Sequence, residues 1–316
     1  MGSKEARAVR LTVPIDAQPK VLFKTYSLGV RTNRDDWLYG FNKEELEQRV
    51  LRFIDVYNGE VDRWARRGNS STSVDDFVLY DDTKIKWSEG LKLNLQRHQY
   101  AKFSKEKMRT ALYRPFVKKW LFSDRLLNER VYQFPQLLPT PSCEIENRVI
   151  VVSDIGFRSP FSTLATNLIP ELHLLASTDG FQCFPYYTYL EDGSNRRENI
   201  TDWALKQFQE KYGAEVTKWD IFHYIYGMLH HPQYRELYKE NLKRDLPHIP
   251  LLLNEDGFEA CVSVGRQLMD LHVNYEQAGE YQLKAVSNTD IPMLQRLYVK
   301  KMKLSADKTA LVMSEA

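Results

Sequence analysis

The sequence predicts an α+β fold in which mixed sheet elements are joined to several amphipathic helices. Apolar residues recur every three or four positions over residues 44–67, which indicates a long amphipathic helix. The continuous apolar run over residues 148–154 is typical of a buried strand. Two more helices are predicted, from Thr201 to Gly213 and from Thr217 to Pro232, because each begins at a capping threonine and ends at a helix breaker. This alternation favours mixed α and β structure over a helical bundle.

Composition indicates a folded protein. The chain has 316 residues, of which 43% are hydrophobic and 27% charged, enough to bury a sizeable core. Its cysteines, Cys143, Cys183 and Cys261, are far apart and form no paired motif for zinc or disulfides. The first residues lack the apolar core of a signal peptide, and no run approaches the ~18 apolar residues of a membrane span. These features predict a cytoplasmic protein without a membrane partner.

A donor-rich loop is predicted after Gly29, downstream of an N-terminal polar leader that covers residues 1–19. Residues 20–41 are predicted to form two strands that reverse at Gly29. Arg31, Asn33 and Arg34 follow this reversal and carry guanidinium and amide groups that can bond phosphates and base edges. The same polar residues are typical of a turn that bonds its own backbone. Both interpretations stay open.

A basic segment occupies residues 92–130. It has eleven lysines and arginines against three acids, a charge of +8, whereas the whole chain carries +2. Aromatic residues are interleaved with these charges. An ordinary solvated surface can have this pattern, but basic side chains on a rigid scaffold also suit a polyanion such as nucleic acid. Three prolines then make residues 133–142 a predicted connection between subdomains.

Two adjacent histidines, His230 and His231, raise the question of a metal or catalytic site. Successive helical residues diverge by about 100 degrees, so the two imidazoles do not converge on one metal. At a helix C-terminus an imidazole can instead cap carbonyls or offset the dipole. On the same helix Tyr226 is expected to pack in a core, and Gly227 to allow a neighbouring element to approach closely.

Seven motifs stand out along the chain, in the order YSLGVRTNRDDWLY, YRPFVKKWLF, NERVYQFP, QCFPYYTY, NITDWAL, IFHYIYGMLHHPQYRELYKENLKRDLPHIPL and GRQLMDLHVNYE. Together they resemble the C-terminal region of Type ISP restriction-modification enzymes. The resemblance runs from about residue 20 to the end of the chain. Members of this family are large bacterial proteins that join a nuclease, a helicase-like motor, an N6-adenine methyltransferase and a DNA target-recognition region. This chain departs from the family pattern at His231, in place of serine in LHSP, and at His248, in place of arginine in LPRIP.

The resemblance implies that the chain is a specificity portion that binds double-stranded DNA, with a methyltransferase domain directly upstream. S-adenosylmethionine, ATP and Mg would belong to missing domains, because Asn-Pro-Pro-Tyr/Phe and G-x-x-x-x-G-K-[ST] motifs do not occur here. No cofactor, metal or catalytic residue is therefore expected. The implied parts are a helical, basic part at residues 20–142 and a mixed α/β target-recognition part at 143–316, which we expect to be truncated at its C-terminus.

Ten residues are candidates for DNA contact, in three groups. The group expected near the methyltransferase junction is Arg31, Asn33 and Arg34. The group expected to bind backbone phosphates is Arg97, Arg109, Arg114, Lys118 and Lys119. The group in a loop before the first capped helix is Arg196 and Arg197.

Two other classes of function remain alternatives. A nuclease would need acids that converge with a lysine on a metal, and Asp81, Asp82, Lys84 and Lys86 fit a polar hairpin better. A protein-interaction or assembly subunit of a modification or defence system would instead dock a partner on its helical faces. Salt-dependent binding to duplex DNA separates these alternatives from a DNA-recognition role.

Overall fold

Helices alternate with short mixed strands along the chain, so the α+β prediction is confirmed. A computed structural model describes residues 10–11, 21–68 and 71–279, and beyond them residues 282, 284, 286, 290–293, 302–307 and 309–312. The described residues up to Glu276 form one compact unit, and those from Gln277 onward form a second.

The bounds of the described elements are as follows. The helices are α1 (Asp35–Leu38), α2 (Lys43–Ala65), α3 (Val74–Phe77), α4 (Glu89–Gln96), α5 (Phe134–Leu137), α6 (Pro141–Glu146), α7 (Asp202–Tyr212), α8 (Lys218–His230), α9 (Pro232–Leu237) and α10 (Glu255–Val273), with 3-10 turns at Lys105–Lys107 and Tyr275–Gln277. The strands are β1 (Arg10–Leu11), β2 (Tyr39–Gly40), β3 (Met108–Arg114), β4 (Val117–Phe122), β5 (Val149–Ser153), β6 (Thr163–Thr166), β7 (Ile169–Pro170), β8 (Phe181–Pro185), β9 (Tyr187–Thr188), β10 (Arg197–Glu198), β11 (His248–Ile249), β12 (Lys303–Leu304) and β13 (Leu311–Val312).

An antiparallel sheet in the order β6–β5–β8 separates two hydrophobic cores. Alternate side chains of a strand point to opposite faces. In β5, Val149 and Val151 pack into the first core, whereas Ile150 and Val152 pack into the second. Both faces of β5 are therefore buried, which explains why its sequence is continuously apolar. The buried strand predicted over residues 148–154 is confirmed.

The first core contains α2 and a four-stranded sheet in the order β2–β4–β3–β7. Asn42 caps α2 by accepting a hydrogen bond from the Glu45 amide at 2.9 Å. The apolar residues that predicted this helix are all buried: Leu46, Val50, Phe53, Ile54, Tyr57, Val61 and Trp64. Strands β3 and β4 form an antiparallel hairpin whose turn contains Phe116, at φ +59°. The basic segment thus contains a rigid hairpin on the sheet that covers α2.

The second core is built by α7, α8 and α10 with the opposite face of the central sheet. Thr201 caps α7 by accepting from the Ala204 amide at 3.1 Å. Thr217 and Asp220 form a reciprocal capping box at the start of α8. The helix starts predicted at the two threonines are confirmed.

Helices α8 and α10 cross at two glycines. A Cβ added at Gly227 would lie 2.5 Å from the Cys261 carbonyl oxygen, and one at Gly265 would lie 2.0 Å from the His223 carbonyl oxygen. No side chain fits at either distance, so only glycine permits this approach. The close approach expected at Gly227 is confirmed.

The reversal predicted at Gly29 is wrong. The chain continues past this residue, and Val30 bridges to Glu171 in parallel. A Cβ at Gly29 would lie 2.5 Å from the Phe181 ring and 2.9 Å from Leu172 Cα. Glycine is needed here for tight packing and not for a turn. The second predicted strand is largely replaced by α1, with only two residues of β2 after it.

The connection predicted at residues 133–142 forms α5 and the start of α6. Phe134, Leu137 and Leu138 are buried in the first core. The division predicted between residues 142 and 143 therefore falls inside the first unit.

The predicted leader at residues 1–19 lies outside the described residues, apart from Arg10–Leu11, which pairs in parallel with β11. In the second unit β12 and β13 form an antiparallel pair. Within the described part of the chain, no helix combines the length and apolar character needed to cross a membrane.

The substitution Gly265→Ala is expected to lower the free energy of unfolding by about 2–3 kcal/mol, because the added methyl group forces α8 and α10 apart. The control is Gly59→Ala in α2, where nothing lies within 4 Å of the added Cβ. Alanine there should raise stability by about 0.5–1 kcal/mol. Urea unfolding followed by tryptophan fluorescence measures both changes. Equal effects at the two sites would contradict the close crossing.

Candidate functional site

Much of the charge of the basic segment is neutralised by acids from elsewhere in the chain. Seven of its eleven cations pair with described carboxylates: Lys92 with Asp75 and Glu89, Lys107 with Asp124, Arg109 with Glu144, Arg114 with Glu171, Lys118 with Glu276, Arg125 with Glu191, and Arg130 with Glu129. Six of these acids lie outside residues 92–130, so they reduce the excess from eight positive charges to two. The segment is therefore not a continuous cationic surface.

Arg34 lies beneath the surface, with 1% of its area exposed. Its Nε donates to the Lys86 carbonyl at 3.1 Å, and its Nη atoms donate to the Leu127 carbonyl and to Ser88 Oγ. Burial lowers the pKa of Arg34 to about 10, and the Glu129 carboxylate opposes this shift. Direct contact with DNA would require the guanidinium to leave all three acceptors. The structure thus gives Arg34 an internal, cross-linking position in place of the expected exposed one.

Arg109 is buried in the same manner. Its guanidinium donates to the carbonyls of Leu138 and Pro139 and pairs with Glu144 at 2.5 Å. Burial raises the pKa of Glu144, while Arg109 favours its charged form. Arg109 was expected to bind a phosphate, but its guanidinium is not exposed. Its donors instead hold the connection at residues 133–142 against β3.

Four of the predicted residues, Arg31, Asn33, Arg114 and Lys119, come together around Asp35. The Asp35 carboxylate accepts from Thr32 Oγ1 and, at 3.0 Å, from Tyr113 Oη. The Tyr113 ring lies between two cations: Arg114 Cζ is 4.1 Å and Lys119 Nζ is 3.7 Å from its centre. Arg31 Nε donates to Asn33 Oδ1 at 2.6 Å. The Arg34 amide donates to Thr32 Oγ1 at 3.1 Å, so the turn bonds its own backbone through Thr32, whereas Asn33 bonds the side chain of Arg31.

Two clefts meet at Asp35 and Asp36. One, of about 370 Å³, is lined by residues that include Phe41, Arg49 and Lys119. The other, of about 290 Å³, is lined by residues that include Arg31, Asn33, Lys86 and His173. Burial lowers the pKa of the Lys119 ammonium group. Both clefts therefore present donors and acceptors side by side, and neither is uniformly basic.

The remaining candidates lie elsewhere on the protein. Arg97 is exposed at the end of α4 and pairs with no acid among the described residues. Lys118 pairs with Glu276 at 2.6 Å. Arg196 pairs with Glu146 at 2.5 Å, and Arg197 donates to Asn195 Oδ1 at 3.2 Å, in an exposed loop.

Two residues, one beside Arg31 and one lining the larger cleft, were not predicted as site residues. Arg130 lies directly opposite Arg31 through an isolated antiparallel bridge. Phe41 is 73% exposed, and Lys119 Nζ is 4.9 Å from the centre of its ring. The motifs YSLGVRTNRDDWLY and NERVYQFP contain both bridge residues, but the sequence carries no signal that the two motifs pair.

The histidines that suggested chemistry lie between packed helices. Helix α8 ends at His230, and His231 links it to α9, as predicted. Tyr226 is fully buried, which confirms its predicted core position. Burial lowers the pKa of His223 and of His230 to about 4 in each case. Among the described residues, no three His, Cys, Asp or Glu side chains are arranged to hold a metal.

The substitution Arg34→Met is expected to destabilise the protein by about 3–5 kcal/mol, because it leaves the carbonyls of Lys86 and Leu127 without their donor and removes one of the positive charges that compensate Glu129. The control is Arg31→Met, where the side chain is exposed; its effect should stay within about 0.5 kcal/mol. Chemical denaturation of both variants measures the difference. Similar stabilities would show that the buried guanidinium is dispensable.

Stability is expected to fall as the pH is lowered from about 6.5 to 4. In this window the unfolded chain binds protons at His223 and His230, whereas the folded chain does not, so each histidine costs about 2–3 kcal/mol. His230→Gln should make the loss smaller, while His231→Gln at an exposed position should leave it unchanged. Thermal melts from pH 4 to 8 test this, and identical pH profiles for the two variants would refute it.

Comparison with known proteins assigns the family. The model of the Type ISP C-terminal specificity domain matches residues 21–316. A search of curated proteins gave no match. Among solved structures, a cryo-EM structure of a DrdV–DNA complex is 33% identical, with a TM-score of 0.74, over 96% of this chain and 29% of that chain. A nuclease-deletion mutant of the Type ISP restriction-modification enzyme LlaGI, in complex with a DNA substrate mimic, is 32% identical, with a TM-score of 0.75, over 95% and 26%.

The ATP-dependent Type ISP restriction-modification enzyme LlaBIII bound to DNA is 27% identical, with a TM-score of 0.74, over 100% of this chain and 19% of that chain. This chain thus spans 19–29% of the length of these three proteins. The resemblance found in the sequence motifs is confirmed over nearly the whole chain. The chain belongs to the Type ISP C-terminal specificity domain family.

Proposed function

We propose that this chain recognises a specific sequence in double-stranded DNA as the specificity portion of a bacterial restriction-modification enzyme. The observation that carries the proposal is the match of 95–96% of the chain, at 32–33% identity, to two proteins solved with DNA or a DNA mimic. A shared fold at this identity supports a shared ligand class. The exposed polar groups around Asp35 supply a surface for it.

The clefts at Asp35 suit base edges better than a run of phosphates. Base pairs present both acceptors and donors in the major groove, so a surface that reads them needs both kinds of group. Asn33 and Lys119 supply donors, and the exposed Asp36 supplies an acceptor. Cations that pair with no described acid, such as Arg97, would instead contact phosphates and add affinity without selectivity.

Rigid support would make such recognition selective. The loop that carries Arg31 and Asn33 is anchored by the buried Arg34, and the hairpin that carries Lys119 is anchored through Arg109. Groups held by packing and buried hydrogen bonds lose little freedom when they bind, which favours a correct site over a near match.

Under this proposal the chain contributes binding and no bond chemistry. A methyltransferase domain would lie directly upstream in the same polypeptide, and the grip on DNA would present the target adenine to it for extrusion from the stack. S-adenosylmethionine, ATP and Mg would be bound by other domains of that enzyme. The site of action would be the bacterial cytoplasm, where invading phage DNA is met.

Selection from a randomised duplex library tests the proposal. The 316-residue chain is expected to enrich one sequence family, with an affinity that falls linearly on a log-log plot as salt rises. Incubation with S-adenosylmethionine should transfer no methyl group to DNA. Absence of enrichment, together with salt-independent affinity, would favour the alternative of a protein-interaction subunit.

Two neighbouring lysines on β4 provide a matched comparison. Lys119→Gln is expected to weaken binding severalfold and, if this ammonium neutralises one phosphate, to reduce the salt slope by about 0.9, because no described acid pairs with it. Lys118→Gln should have a smaller effect, since the Lys118 ammonium is already paired with Glu276 at 2.6 Å. Electrophoretic mobility shifts at several salt concentrations measure both. A larger effect at Lys118 would contradict the placement of the interface at the clefts.

A further inference from the structure

Arg31 and Arg130 face each other across an isolated antiparallel bridge. The Arg31 amide donates to the Arg130 carbonyl at 2.9 Å, and the Arg130 amide donates to the Arg31 carbonyl at 2.9 Å. Residues that exchange both hydrogen bonds have Cα atoms about 5.5 Å apart and side chains on the same side of the bridge. The two guanidinium groups therefore start from adjacent points on one face. Both residues are exposed.

The backbone pairing opposes two like charges, which is destabilising unless an anion lies between them. Among the described residues, Glu129 pairs with Arg130, and its carboxylate lies 3.7 Å from Arg130 Nη1. Glu129 is nearly buried, and it accepts from Ser88 Oγ and from the Gly90 amide at 3.2 Å. Its charge also compensates the buried Arg34. One carboxylate thus serves two arginines, Arg34 and Arg130.

Other acids near the pair are already engaged. Arg31 lines the smaller cleft together with Asp35, Asp36 and Glu171. Asp35 accepts from Thr32 and Tyr113, and Glu171 pairs with Arg114 at 2.5 Å. The exposed Asp36 remains, opposed by Lys86 in the same cleft. The surroundings therefore leave the arginine pair with an excess of positive charge.

Each guanidinium is oriented but not saturated. Arg31 uses its Nε to donate to Asn33 Oδ1, and Arg130 uses Nη1 to donate to the Glu129 carbonyl at 2.8 Å. Both Nη groups of Arg31 and Nη2 of Arg130 have no protein acceptor among the described residues. Planar forks of this kind match the oxygens of a phosphate.

We propose that Arg31 and Arg130 form a clamp for a single backbone phosphate of DNA, an inference that deepens the proposed function and rests on it for the identity of the ligand. The ligand class is a phosphodiester, held by two guanidinium groups from sequence-distant motifs. The clamp is independent of base sequence, and it fixes the position of the strand beside the clefts at Asp35.

The number of phosphates can be measured from salt dependence. Each neutralised phosphate contributes about 0.9 to the slope of log affinity against log salt. If both arginines bind one phosphate, the variant Arg31→Gln/Arg130→Gln should lose about 0.9 from the slope on any duplex, and each single variant should lose less than half of that. A loss of about 1.8, shared equally by the single variants, would overturn the clamp in favour of two separate contacts. No loss in the double variant would overturn it outright.

Two control variants accompany this measurement. Arg125→Gln removes an exposed arginine that pairs with Glu191, and it should leave the slope unchanged if that cation is not at the interface. Arg31→Lys/Arg130→Lys keeps both charges and should retain most of the slope. A double lysine variant with the slope of the double glutamine variant would show that the planar guanidinium forks, and not charge alone, hold the phosphate.

Thermal unfolding without DNA separates failure of the clamp from failure of the proposed function. Inorganic phosphate, compared with chloride at equal ionic strength, should raise the melting temperature of the wild-type chain more than that of Arg31→Gln/Arg130→Gln. At low salt and without phosphate, the double variant should melt at the same temperature or higher, because the opposed charges are gone. If phosphate discriminates in this way but the chain binds no duplex, the anion clamp stands and DNA recognition fails. Equal phosphate effects on both proteins would overturn the clamp.

Discussion

The burial of Arg34 is the constraint on which the candidate surface depends. A buried guanidinium is tolerated only if its donors are satisfied and its charge is compensated. Meeting both requirements brings together three parts of the chain: the loop at residues 31–34, the start of α4 at Ser88, and the segment from Leu127 to Glu129. Arg31 and Arg130 lie three residues from Arg34 and Leu127 respectively, so the same internal bonds set the spacing of the two exposed arginines. The hydrogen bonds of the buried Arg34 thereby fix the positions of the exposed Arg31 and Arg130.

Local sequence signals predicted the helices well, because the physical cause of a helix end lies within a few residues of it. Thr201, Thr217 and Asn42 each accept a hydrogen bond from the amide three residues further on, and the apolar stripe of α2 is buried as its spacing requires. Gly29 shows where such signals fail. A glycine that permits a turn and a glycine that permits close packing look the same in sequence, and only the position of Phe181, more than 150 residues away, distinguishes them.

The candidate site was predictable only in part, for the same reason. The sequence places Arg31 and Arg34 three residues apart with identical chemistry, yet one is exposed and the other is 1% exposed. Residues 92–130 contain more basic than acidic side chains, but six acids from other parts of the chain pair with these basic side chains. Family motifs contain several residues of the candidate surface, since they record the scaffold that supports it. They do not indicate which arginine is used internally and which is available to a ligand.

The central sheet has a consequence for how new specificities can arise in this family. Val149 and Val151 complete one core, and Ile150 and Val152 complete the other. Neither half of the fold can therefore be replaced without changing a strand that the other half also needs. If a large segment that includes β5 were exchanged between relatives, one face of the incoming strand would have to pack against the half of the fold that is not exchanged. Divergence is therefore easier by many small changes in exposed loops on a fixed frame than by shuffling of large pieces. A designer who wishes to redirect such a domain should graft loops and leave β5 with both of its neighbours.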